Sequence, residues 1–110
     1  MRVDGRWDIV QSNGFRVAVN VAQRGDQLDV QASHSGGRVF SLHPTAGVVR
    51  GTHLDMTIVW SDGSKGQYTG DLRPNKFALP GFHLAGETRD LNHPTSRATW
   101  FSEGRDFQPV

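Results

Sequence analysis

Apolar and polar positions alternate along most of this chain, and Gly, Asn, Asp or Pro breaks the alternation about every ten residues. The pattern is cleanest from Phe15 to Gln23. Phe15, Val17, Val19 and Val21 fall on one side, and Arg16, Ala18, Asn20 and Ala22 on the other. Period-two alternation of this length predicts a half-buried strand. Leu28, Val30, Ala32 and His34 form the next apolar face, backed by Asp29, Gln31 and Ser33. Leu54, Met56, Ile58 and Trp60 form another, backed by His53, Asp55, Thr57 and Val59. Shorter stretches of the same kind run over Arg6–Gln11, Gln67–Leu72 and Arg97–Ser102, and Phe82, Leu84 and Gly86 share a face. Val39 to Gly51 is less regular. Pro44 cannot donate to a ladder, so Leu42 to Ala46 is expected as an edge, bulge or loop, with the strand resuming at Val48-Val49.

Between these stretches lie turn residues. Ser12-Asn13-Gly14 carries the Asn-Gly pair of a tight hairpin, and Ser61-Asp62-Gly63-Ser64 is an Asp-Gly turn. Arg24-Gly25-Asp26-Gln27, Gly36-Gly37 and Pro74-Asn75 are further turns, and Asp90 to Ser96 is expected as a loop. No segment keeps apolar residues at helical spacing for three turns. Eight strands with short connections predict an all-β fold: a single-domain, eight-stranded antiparallel up-and-down (meander) barrel, whose closure removes exposed edges. A seven-stranded sandwich is the alternative, and it needs longer crossovers.

The order of certain residues also resembles the calycin barrels, which include lipocalins, fatty-acid-binding proteins and avidins. Gly5-Arg6-Trp7 on the first strand resembles their opening motif, in which the Trp plugs one barrel end under a basic residue from the last strand. Arg105 or Arg97 would supply that base. Within the group, length and rhythm are most similar to the avidin branch. Ile58-Val59-Trp60 followed by Tyr68-Thr69-Gly70 resembles its central hairpin, and Ala98-Thr99-Trp100 with Gly104-Arg105-Asp106 resembles its closing strand. The resemblance implies that Trp60 and Trp100 touch a ligand and that Asp106 meets its polar head group. Ile9 and Asn13 stand where that branch brings an Asn and a Ser to biotin, and Gln31-Ala32-Ser33-His34 lacks its Tyr. The resemblance therefore implies the barrel more than biotin.

Composition narrows the function classes. The 110 residues carry 12 basic and 11 acidic side chains, a formal net charge of +1. That balance offers no long positive stripe for a nucleic acid. Mean hydropathy is −0.51 and no apolar run spans a bilayer, so no membrane partner is expected. Met1-Arg2-Val3-Asp4 lacks the apolar core of a signal peptide, which fits a cytoplasmic protein or a mature secreted chain. With no cysteine there is no disulfide framework and no thiol chemistry.

Candidate chemistry is sparse. Trp60, Tyr68 and Trp100 lie on faces that point inward, where they form the apolar wall of a small-ligand site or the filler of a narrow barrel. Burying each ring contributes about 2–3 kcal/mol with or without a ligand. His34 shares an apolar face and, with Asp106, is the candidate polar anchor. The five histidines show no HxH or HxxxH spacing, so no metal or other cofactor is expected. Asp8, Asp29, Asp55 and Asp71 fall on polar faces, and no Gly-x-Ser-x-Gly elbow or phosphate-binding Gly loop occurs. These features favour a binding protein over an enzyme. The expectation is a small-molecule-binding barrel that encloses an apolar or aromatic-contacting ligand at one mouth. A carbohydrate-binding module using the polar loops at Ser12-Asn13-Gly14 and Asn92-His93-Pro94-Thr95 is one alternative. A small cyclase acting on a polyketide-like substrate is another. Small outward residues such as Ala18 and Ala22 leave room for a homodimer or homotetramer.

Overall fold

A computed structural model describes residues 1–34, 39–42, 45–75 and 80–109. The expected Gly36-Gly37 turn and Pro44 lie outside them. The described chain forms β1 (Gly5–Gln11), β2 (Arg16–Arg24), β3 (Gln27–His34), β4 (Thr45–Arg50), β5 (His53–Val59), β6 (Lys65–Pro74), β7 (Phe82–Asp90) and β8 (His93–Glu103). Each strand pairs antiparallel with the next, and β1 pairs with β8, from Asp8 opposite Glu103 to Gln11 opposite Trp100. The sheet is therefore a closed meander barrel, not a sandwich. Among the described residues no helix is long and apolar enough to cross a membrane.

The alternation decides which side chains fill the interior. Trp7 and Ile9, Val17 to Val21, Leu28 to Ala32, and Leu54 to Ile58 are buried at every second position. Their polar neighbours face out. Asp8 on β1, Arg16 on β2 and Glu103 on β8 form one outer ion-pair relay, with Arg16 bonded at 3.0 Å to Asp8 and 2.7 Å to Glu103. Such exposed pairs are screened by solvent and contribute little, so the inward apolar rows hold the fold.

Two places depart from a regular ladder. β3 and β4 pair only between Gln27–Val30 and Thr45–Val48. Past that point residues 39–42 stitch β3 to β5: His34 N–H donates to Val39 O at 2.8 Å, and Ser61 N–H donates to Phe40 O at 2.7 Å. Leu42, expected in an edge, bulge or loop, thus lies against the β5 end, its N–H donating to Val59 O at 3.1 Å. The second departure corrects the expected Asp90–Ser96 loop. The turn is Leu91-Asn92 alone, tightened because Asn92 N–H donates to Asp90 Oδ1 at 2.9 Å, and β8 already begins at His93. Arg89 faces Arg97 while Asp90 faces His93, so residues 94–96 have no opposite number on β7. Pro94, which has no N–H to offer, sits where the ladder bulges and needs none.

One barrel end is sealed. Val3, Trp7 and Phe107 are all buried there. Trp7 Nε1–H donates to Val3 O at 3.0 Å, and the Phe107 ring meets Trp7 edge-on at 5.4 Å. Beyond β8 the chain turns back across this end, where Phe107 bridges to Phe82. Of the two arginines considered for this end, Arg105 is the one present, 5.1 Å over the Phe107 ring. Arg97 belongs to the opposite end.

Candidate functional site

In a meander, odd-numbered strands finish where even-numbered strands begin. That end collects Gln11 from β1, His34 from β3, Trp60 just past β5, Tyr68 from β6, Thr88 from β7 and Ala98 from β8. Together they line a mouth cavity of about 240 Å³, with Asn13, Phe15, Asp62, Lys65, Arg89 and Arg97 toward its rim.

The floor is polar and internally satisfied. Tyr68 is buried, and its hydroxyl donates to Gln11 Oε1 at 2.7 Å. Gln11 Nε2 in turn donates to Asn13 Oδ1 at 3.2 Å, and that same oxygen accepts Phe15 N–H at 3.2 Å. The Asn-Gly turn, with Gly14 at φ 92°, thereby fixes the glutamine that holds the tyrosine. Burial pushes the Tyr68 phenol up to about 12, partly offset by a hydrogen bond with Thr88, so it stays neutral.

The walls are aromatic. The His34 and Trp60 rings meet at 4.5 Å between centroids, and Phe15 approaches His34 edge-on at 5.3 Å. Burial lowers the His34 pKa below its ordinary value, and the nearby Asp62 charge only partly restores it. His34 is therefore neutral at pH 7. Asp62 is itself held below the usual carboxylate value, chiefly by Ser64, whose hydroxyl and N–H donate to it at 2.6 and 2.9 Å. Neither the Trp60 indole N–H nor the His34 ring has a hydrogen-bond partner among the described residues. No buried side-chain polar atom among the described residues lacks a partner, so these groups are accessible from the mouth. Trp60 gains its position from Gly66: a Cβ there would sit 3.5 Å from the indole nitrogen and 3.2 Å from the Tyr68 ring.

The expected site residues divide between regions. His34, Trp60 and Tyr68 come together at the mouth. Trp100 lies deeper, 6.2 Å from Tyr68 and stacked on Trp7 at 6.4 Å. Its Nε1–H is shared between Thr69 O at 3.2 Å and Glu87 O at 3.1 Å. Asp106 sits at the sealed end on the outer wall, where Asn75 Nδ2 donates to its Oδ1 at 3.2 Å. Gln11 and Thr88 were not singled out from the sequence. Their signal was phase: Gln11 continues the inward row of Trp7 and Ile9, and Thr88 that of Leu84 and Gly86.

Larger hollows lie outside the barrel. One of about 1100 Å³ runs over Val10, Phe101 and Asp106, and one of about 720 Å³ over the outer faces of β1 to β3. Trp7 borders the smaller and Trp100 the larger, but each of these indoles has its N–H bonded to a backbone carbonyl, so neither hollow presents a buried indole with an unbonded donor. Among the described residues no three His, Asp or Glu side chains converge as a metal would require.

No family model and no curated protein matches the chain. Among solved structures it is similar to a redesigned β-barrel, mFAP1, bound to DFHBI. The TM-score is 0.58 at 13% identity, covering 93% of this chain and 94% of that one. A likeness at that identity lies in the architecture, the closed antiparallel barrel, and not in shared site residues.

Proposed function

We propose that this chain binds a small planar molecule at the mouth lined by His34, Trp60 and Tyr68. One observation carries the reading. Of the three tryptophans, two have their N–H bonded inside the protein, whereas Trp60 is as deeply buried and its N–H has no partner among the described residues. Beside it, a neutral imidazole supplies a second unengaged polar atom on an apolar wall. Binding sites set placed polar groups beside aromatic rings, and here Phe15, Trp60 and Tyr68 stand among the polar and charged side chains of the mouth. A cavity of about 240 Å³ equals roughly eight liquid waters, which fits a one- or two-ring ligand. The similar redesigned barrel was solved with DFHBI bound, so a barrel of this architecture can hold a small molecule. The polar loops considered for sugar binding are engaged internally: Asn13 Oδ1 takes two donors, Ser12 Oγ accepts Thr99 N–H at 3.0 Å, and Asn92 Nδ2 donates to Gly63 O at 3.3 Å.

The test is a titration of ¹⁵N-labelled protein with 2-naphthol, following the indole N–H resonances. The Trp60 resonance is expected to move while those of Trp7 and Trp100 stay nearly fixed, and Trp60→Phe with His34→Ala weakens binding by about tenfold or more. No movement at any indole, or equal movement at all of them, overturns the assignment.

A further inference from the structure

We propose that the molecule held at this mouth is an anion: a planar ring seated on His34 and Trp60, with a carboxylate or similar oxyanion at the β7–β8 lip between Arg89 and Arg97. The proposal deepens the preceding reading and rests on it.

The rim charges carry it. Asp62, Lys65, Arg89, Asp90 and Arg97 all line the mouth. Both acids are engaged by their own turns. Asp62 Oδ1 accepts the Ser64 N–H and hydroxyl, and Asp90 accepts Asn92 N–H at 2.9 Å and lies 3.4 Å from His93 Nδ1. The cations are not so engaged. Arg89 Nε donates at 3.0 Å to the neutral Gln67, and neither Lys65 nor Arg97 forms an ion pair or side-chain hydrogen bond with any described residue.

Register sharpens the point. Arg89 and Arg97 stand directly opposite each other on neighbouring antiparallel strands. Side chains so placed have Cβ atoms about 4.5–5.5 Å apart, and like charges there are destabilising. On β1 and β8 the like charges Asp8 and Glu103 also stand opposite each other, and there Arg16 bridges them. Glu87 lines the same outer hollow as Arg89 and Arg97, but it stands opposite Thr69 and Thr99, and among the described residues no acid forms an ion pair with either arginine. An oxyanion between the two guanidiniums relieves the repulsion and accepts paired N–H donors, the geometry at which arginine is strongest. The neutral His34 beneath leaves the ring pocket uncharged, so charge recognition falls to the lip.

The experiment compares 2-naphthoate with 2-naphthol by calorimetry at low salt and pH 7.5. Two-naphthoate is expected to bind about tenfold tighter, and raising the salt narrows the gap. In the R89Q/R97Q double variant the preference falls to near parity. Both arginines are exposed, and unchanged Trp7 and Trp100 indole resonances establish that the variant is folded. Equal affinity of the two probes for the unaltered protein overturns the anion assignment and leaves the mouth site standing. A preference that survives R89Q/R97Q overturns the role of this pair. If neither probe binds, the mouth reading itself fails.

Discussion

At the end where β1 begins, Trp7 donates its N–H to Val3 O and takes Phe107 against its edge; at the end where β5 finishes, Trp60 is equally buried and its N–H has no partner among the described residues. Both ends collect aromatic rings, yet only the first completes its hydrogen bonding from within. The sealed end also draws on a segment beyond the last strand, because Phe107 returns across it. The mouth has no comparable cover among the described residues. The Tyr68–Gln11 bond separates the two regions as a polar layer. Burial fraction alone would not distinguish them; the accounting of polar atoms does.

That contrast can be broken most forcefully with Phe107→Ala. Removing a buried ring at the sealed end should cost about 3–5 kcal/mol in urea unfolding, whereas Phe15→Ala at the rim, 55% exposed, should cost under about 1 kcal/mol. Equal losses would erase the distinction between the ends. Next is Gly70→Ala. A Cβ at Gly70 would lie 2.7 Å from Trp100 Cζ2, and Trp100 is locked to the Thr69 and Glu87 carbonyls. Overpacking of about 1–3 kcal/mol is expected, with a displaced Trp100 indole resonance. Tyr68→Phe tests the layer between the regions: Gln11 Oε1 loses its donor, costing about 1–3 kcal/mol. The loss should be accompanied by weaker 2-naphthol binding, because the floor of the mouth loosens.

The smallest effect concerns acidity. The folded chain holds a proton on His34 less well than the ordinary value of 6.5, because burial disfavours the cation. The unfolded chain therefore takes up that proton first as the pH falls. His34 destabilises nothing above pH 6.5, and stability drops as the pH falls from there through the lower folded-state value. His34→Phe should flatten this step in denaturation curves recorded between pH 7.5 and 5. Asp4 and Asp62, both lowered by local hydrogen bonds, contribute their own loss only in the carboxylate range below. A step of unchanged size in the variant would show that another group titrates there.

Much of the barrel was legible in the chain. Val17-x-Val19-x-Val21 and Leu54-x-Met56-x-Ile58 each announce one buried face, and the Asn-Gly and Asp-Gly pairs mark where strands reverse. Strand parity was legible too. Asp106 follows the end of an even strand and His34 closes an odd one, so a meander must set them at opposite ends. Gln11 was harder, because its partner Tyr68 lies 57 positions away and a glutamine on an inward phase resembles a strand terminus. The fit of Trp100 was harder still. It depends on Gly70 and Gly86 facing each other across β6 and β7, a pairing no local pattern displays. The Asp90–Ser96 stretch misled because Pro94 marks both loops and bulges.

That bulge has a consequence for how the entrance can change. Residues 94–96 already lie outside the β7 ladder, so the pairing on either side does not depend on their number. Added length there would leave every inward side chain in phase, whereas one extra residue within β5 would turn its row inside out. The doorway can thus be lengthened, recharged or narrowed while the walls keep their count, which makes it the natural place for ligand preference to diverge on an unchanged frame.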